Sequence, residues 1–196
     1  MFSIVDGVIL RPLAYPEPER IVRLFEALPS QGFTTFSFSP LNLWDWQERN
    51  RSLELMGAYQ TAVVNYTGGD RPESLPGIRV SEGYLPILGG GPAMGRGIAA
   101  GDLDPDAPDV VILSHGFWHR AFGGAPDILG RSLALDDRPH TVVGVLPEGW
   151  EIPGGSLREV VLPLKPAPQW YQNRSSHFLH AWGRLKPGVT LEQTRA

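Results

Sequence analysis

The chain contains no cysteine. A disulfide scaffold, a thiolate metal site and a cysteine nucleophile are therefore excluded, and the absence suits an exported bacterial protein. No apolar run approaches the roughly 18–20 residues needed to cross a bilayer. The most apolar end, residues 1–10, is interrupted by Asp6 and stopped by Arg11-Pro12. It has no positive leading region and no small-residue cleavage site, so it does not read as a signal peptide. Positive charge is not in excess either: 17 Lys and Arg stand against 21 Asp and Glu, a formal net charge of −4. Nucleic-acid binding needs a concentrated positive surface, whereas the basic residues here are scattered, with Arg49 and Arg51 the nearest thing to a cluster. There is no internal repeat and no heptad run.

What is present is a chain of 196 residues, 42% hydrophobic and 19% charged. That is enough for one domain, or two small lobes, with an apolar core. The 23 glycines and 19 prolines are spread between apolar segments and punctuate many short elements. Arg20–Glu26 reads as a strand. Ser39-Pro40 starts a helix over Leu41–Asn50, with Leu41, Leu43, Trp44 and Trp46 apolar and Gln47, Glu48 and Arg49 outward. Tyr59–Tyr66 and Glu73–Val80 read as strands around a turn, and Ser81 as the cap of a short helix ending at Leu88. Gly89–Pro108 reads as a loop. Val110–Leu113 is a buried strand, and Ser114 caps a helix to Phe122 whose inner stripe is Phe117, Trp118, Ala121 and Phe122. Arg131–Leu135 and His140–Val145 form a hairpin across residues 136–139. Arg158–Leu164 and Phe178–Leu185 are further strands. Thr190 and Gln193 then make a capping box. The helix they open has only about six residues before the chain stops, against the roughly 12–15 an isolated helix needs, which suggests a piece of something longer.

Several patterns invite a chemical reading. Ser114 sits at a strand-to-helix turn, but Ile112 occupies the place where a nucleophile elbow needs a small residue, so the serine reads as a cap. His115 and His119 are four apart, yet Gly116 stands where a zincin has its glutamate. His177 and His180 have no carboxylate near them in sequence. Asp102, Asp104 and Asp106 alternate as in a calcium loop, but Ala107 and Leu113 fall where an EF-hand needs Gly and Glu, so a solvated acidic loop is expected. Gly95–Ala100 fits G-x-G-x-x-A, but it neither follows a strand nor opens a helix. These residues assign no catalytic group, no metal and no cofactor. Of the six tryptophans, Trp44, Trp46 and Trp118 have helix-core spacing. Trp150, Trp170 and Trp182 are harder to place, and Trp170-Tyr171, after Pro166 and Pro168, is the candidate partner contact.

Three segments carry a resemblance: Phe2–Leu13 with Tyr15-Pro16; Val80–Gly89 with Pro92–Arg96; and Val110–Phe122 with Gly130-Arg131 and Thr141–Gly149. Val161–Leu164 and Gly183–Thr190 extend the series. In this order they resemble the MacB-like periplasmic core domain of ABC-transporter permeases of the MacB/FtsX type, particularly the orphan permeases of acidobacteria. Gly89-Gly90-Gly91 departs from the family pattern.

The resemblance implies an α+β, mixed-sheet, two-lobed domain. Residues 1–15 would be the outer end of a first transmembrane helix. Residues 16–80 with 158–196 would form a membrane-proximal, porter-like lobe, and residues 81–157 an inserted, sabre-like lobe. The implied work is coupling of ATPase-driven motion to extracytoplasmic partners or cargo, as in efflux, without enzymatic chemistry. The implied partners are the permease's own transmembrane helices, a second copy in a homodimer, a cytoplasmic ATPase acting indirectly, and an extracytoplasmic adaptor or cargo, with no nucleic acid. The implied location is the inner membrane, with this segment periplasmic. Candidate hinges are Val80, Ser81, Gly154 and Gly155, and stiffening Gly154-Gly155 is expected to impair coupling without unfolding the domain. Two other readings stay open: a stand-alone module that binds a ligand in a Trp-lined cleft, and a hydrolase using Ser114 and a histidine.

Overall fold

The strand signals converge on one mixed sheet. The computed structural model describes residues 2–3, 15–28, 32–69, 71–153, 157–171 and 173–194. Its strands are β1 (Phe2–Ser3), β2 (Ile21–Leu28), β3 (Phe33–Phe36), β4 (Leu53–Tyr66), β5 (Glu73–Val80), β6 (Met94–Gly95), β7 (Val110–Leu113), β8 (Ser132–Leu135), β9 (Arg138–Val145), β10 (Val160–Pro163) and β11 (His180–Leu185). The helices are α1 (Pro40–Arg49), α2 (Tyr84–Ile87) and α3 (His115–Phe122). Strand order is β1-β2-β11-β4-β5-β10-β7-β9-β6, with β3 on β2 and β8 bridging β4 and β9. β10 runs parallel to β5 and β9 parallel to β7; the other pairs are antiparallel. After β5 the chain builds β6 to β9 elsewhere in the same sheet and then returns beside β5 as β10, so that β6 to β9 all fall within one parallel crossover.

Side-chain alternation on these strands divides the core. On one face, Tyr59, Ile78, Val80, Val161, Ile112 and Trp182 pack with α2 and the segment around Trp150. The opposite face carries two clusters. Val22, Leu24, Ala58 and Ala181 pack under α1 through Leu43 and Trp46. Val64, Leu75, Val160 and Leu113 pack under α3 through Phe117. Two serines fix these helices: Ser39 Oγ accepts from Asn42 N at 3.3 Å and Ser114 Oγ from Phe117 N at 3.0 Å. Gly123, at φ +62°, ends α3.

The expected elements form, with differences that have physical causes. β4 begins at Leu53, six residues before the alternation does, because residues 56–59 are buried whichever way they point. The β8–β9 turn is only Asp136-Asp137, at φ +49° and +60°. Both residues have the left-handed geometry of a type I′ hairpin. Arg138 and Pro139 belong to β9, since proline is tolerated where a strand starts. Ser81 does not cap α2. Its Oγ accepts from Ala58 N at 3.0 Å and its N donates to Ala58 O at 2.9 Å, clamping the end of β5 to β4. Within the expected loop, Met94–Gly95 pairs with β9. Ala121 is exposed. Phe2–Ser3 pairs with Phe25 and Glu26 as extended chain where the outer end of a helix was expected; residues 4–14 lie outside the described residues. Among the described residues no helix is long and apolar enough to cross a membrane.

The seating of α2 on β4 depends on two glycines. A Cβ on Gly57 would lie 2.6 Å from Tyr84 N, and one on Gly83 would lie 2.6 Å from Met56 O. Backbone cannot yield as a flexible side-chain tip can. Gly57→Ala is expected to cost about 1–3 kcal/mol of unfolding free energy. Gly90→Ala, which meets nothing within 4 Å, is expected to stay within about 0.5 kcal/mol. Urea titrations of the two variants compare them directly.

Candidate functional site

The covers α1 and α3 sit on the same sheet face and leave a gap between them. The gap is a cleft of about 520 Å³. Its floor is Gln60 of β4, Arg79 of β5 and Leu162 of β10, which are register neighbours: Gln60 pairs with Arg79, and Arg79 with Leu162. The positions on either side along this face are apolar or small, with Ala58 and Ala62 on β4 and Gly77 and Ser81 flanking Arg79. Two long polar side chains thus stand opposite each other among apolar or small residues. One wall is Lys165, Ala167, Gln169 and Trp170; the other is Asp109, Leu135, Asp136, Arg138 and His140.

Most charges here are already matched. Asp109 accepts from Lys165 Nζ at 2.8 Å and meets Arg138 at 2.6 Å. Burial works hardest against ionisation of Asp109, but the Lys165 hydrogen bond and the charges of Lys165, His140 and Arg138 outweigh it and hold the carboxyl below its ordinary value. Lys165 also donates to Ala107 O at 2.6 Å. Asp136 Oδ1 accepts from Asn65 N at 2.9 Å and Asn65 Nδ2 at 3.1 Å. Arg79 is half-buried, and its side chain has no hydrogen bond or ion pair among the described residues.

The residues singled out in the sequence fall elsewhere, with one exception. Trp170 lines the cleft, half-buried, with its ring 5.3 Å from Phe178. Tyr171 ends the same 3₁₀ turn. Val80 is buried at the end of β5 and Ser81 is clamped to Ala58; Gly154 and Gly155 lie outside the described residues. Ser114 Oγ is committed to its helix cap. His115 and His119 have ring centroids 4.4 Å apart, but among the described residues no three His, Cys, Asp or Glu gather as a metal set. Asp102 is not solvated as expected. It is 8% exposed and grips Arg96 at 2.5 and 2.9 Å, because the chain folds Arg96 back over the turn. The Arg96 hydrogen bond keeps its carboxyl below the ordinary range despite burial. His177, without a carboxylate near it in sequence, lies 3.6 Å from Glu26, which the β2 ladder brings across. Glu26 itself accepts from Ser39 N and Asn42 Nδ2 at the start of α1.

On the other face four buried polar atoms have no hydrogen-bond partner among the described residues: Tyr84 Oη, Arg158 Nε, His180 Nδ1 and Trp182 Nε1. His180 lies 4.9 Å from the Tyr59 ring. Burial, then the charge of Arg23, pushes its pKa below the ordinary 6.5. A lowered pKa in the fold means that the unfolded chain binds the proton better. The neutral ring therefore contributes fully above the unfolded value, and stability falls as pH drops from there through the folded value. The urea midpoint is expected to decrease from about pH 7 to about pH 5, and His180→Leu to flatten that part of the profile. Ser114→Ala is expected to cost about 1 kcal/mol in the same titration through loss of the cap.

The model of the family described as MacB-like periplasmic core domain matches residues 1–196. No curated protein matches in sequence. Among solved structures, the chain is similar to the extracellular domain of the ABC-type transporter YknZ from Gram-positive bacteria. Identity is 15% and the TM-score 0.60, over 89% of this chain and 88% of that one. It is also similar to the periplasmic region of MacB from Actinobacillus actinomycetemcomitans, at 12% identity and TM-score 0.62, over 87% of this chain and 75% of that one. At such identities the likeness establishes the mixed α+β fold, and the match along all 196 residues establishes the lineage. The chain belongs to the MacB-like periplasmic core domain family, the extracytoplasmic part of ABC-transporter permeases.

Proposed function

We propose that this domain relays motion from a cytoplasmic ATPase, through the membrane-spanning part of its inner-membrane permease, to an extracytoplasmic adaptor or cargo, and that it moves as one stiff body. The supporting observation is the seam between residues 16–80 with 158–196 and residues 81–157. β10 joins β7 through Val160–Leu113 and Val161–Ile112, and β4 joins β8 through Tyr66–Leu135. Apolar clusters span the seam on both faces of the sheet; in one, Val64, Leu75 and Val160 come from one side and Leu113, Phe117 and Leu135 from the other. Parting the lobes would expose these clusters, and each large apolar side chain exposed costs roughly 1.5–3 kcal/mol. Of the ion pairs over the seam, Arg120 with Glu73 and Glu159 are largely solvent-exposed and add little, while Lys165 with Asp109 is mostly shielded from solvent.

Trp170 and Tyr171 are the proposed contact for the adaptor or cargo, and a homodimer the proposed assembly. The competing mode, bending about Val80, Ser81, Gly154 and Gly155, requires the seam to open. Asn65 and Asp136 exchange a backbone bond across it, Asp136 N donating to Asn65 O at 2.9 Å. In a full-length permease, Asn65→Cys/Asp136→Cys supplies a thiol pair in a domain that has no other cysteine. Export is expected to survive oxidation of this pair unchanged. Export lost on oxidation and regained on reduction would refute the stiff-body mode and favour the hinge.

A further inference from the structure

We propose that the cleft between α1 and α3 binds a ligand through a single carboxylate, with Arg79 as its anchor and Trp170 as the wall for its apolar part. The sheet neighbours of Arg79 on this face are Leu162 and Gln60 across the ladders and Gly77 and Ser81 along its own strand, and the side chain is half-buried, so the guanidinium is partly out of water with Gln60 as the one long polar side chain beside it. A cation so placed keeps a desolvation cost that only an anion offsets well. The other two cations in the cleft, Lys165 and Arg138, share Asp109, and Asp136 is occupied by Asn65. The Arg79 guanidinium alone lacks a partner among the described residues.

The charge balance selects the ligand class. Three cations, Arg79, Arg138 and Lys165, face two carboxylates, Asp109 and Asp136. One positive charge remains uncompensated. A monoanion completes the set, while a dianion such as a phosphate monoester would meet the fields of Asp109 and Asp136. Arginine's planar fork matches a carboxylate with two parallel bonds. Gln60, directly opposite Arg79 in register, offers an amide donor beside it. The indole of Trp170 supplies an apolar wall, and about 520 Å³ holds a small organic acid or the last residues of a peptide chain. The carboxylate is the shared chemistry of both sources. The site does not depend on the force relay, because binding is read without export.

The test uses the chain itself with defined probes. N-acetylphenylalanine and its primary amide differ only in the charged group. Titration calorimetry gives affinity, and the Trp170 indole N–H resonance reports location. The acid is expected to shift that resonance and to bind at least about 10-fold more tightly than the amide, as for a lost hydrogen bond to a charged group. Arg79→Gln is expected to remove the same preference, and Arg79→Lys to retain part of it. A thermal midpoint checks that each variant folds, and if Arg79→Gln does not fold, the acid-against-amide comparison on the unaltered chain decides alone. A second pair, a short peptide ending in phenylalanine with a free or an amidated C-terminus, separates the sources. Tighter binding of the free-ended peptide than of the small acid assigns the site to peptide termini; equal or weaker binding assigns it to free organic acids. Equal binding of acid and amide, unchanged acid binding in folded Arg79→Gln, or no response of Trp170 to either probe would overturn the proposal.

Discussion

The backbone ladder that runs through β4, β5, β10 and β7 is the constraint on which the rest of the domain depends. Its pairings place Tyr59, Ile78, Val161 and Ile112 on one face and Val64, Leu75, Val160 and Leu113 on the other. Because a strand's side chains alternate, a slip of one residue anywhere along this run would turn both sets inside out. The register is held at β5's end, where Ser81 answers both the N–H and the C=O of Ala58. With a row of large aliphatic residues on both faces of β10 and β7, the middle of the sheet is its driest part.

The cleft follows from how that sheet is covered. Two short helices rest on one face, each over its own apolar patch, and neither reaches the centre. An apolar floor left uncovered would be a liability, so polarity at Gln60 and Arg79 is the physically consistent choice there. The floor couples the two sides: Arg79 belongs to β5, while the Lys165–Asp109 pair ties the segment after β10 to the one before β7. A ligand seated on Arg79 would touch both walls at once. Relay of motion and recognition of a ligand would thus share one part of the molecule.

Local chemistry was legible in the sequence wherever it rested on neighbours. Ser39 and Ser114 announced their helices because a hydroxyl ahead of an apolar stripe has few other uses, and Gly123 marked the end of α3. The ordered similarity along the chain announced the family. The paired faces were not legible. Nothing near Arg79 in sequence points to Gln60 or Leu162, which reach it only through antiparallel and parallel register. Trp170 was noticed as an aromatic after prolines, but its setting beside Phe178 and the cleft required the fold. Asp102 was not legible for the same reason, although Asp104 and Asp106 are exposed as a solvated acidic loop implies: the salt bridge that turns Asp102 inward depends on where the β6 strand leaves Arg96. Short-range patterns specify caps and turns; a site assembled across strands is encoded by positions whose meaning depends on pairing.

The crossover between β5 and β10 also bears on how the chain reaches this state. Those two strands are neighbours in space, yet residues 81–159 separate them in sequence. Closing so long a loop has an entropic cost that is recovered only once the intervening segment has condensed, and non-local parallel pairing is slow for that reason. Until then β5 has β4 on one side and an open row of amides and carbonyls on the other. Before β10 docks, the future centre of the sheet is a bare strand edge, and such an edge is where misassociation with another copy would begin.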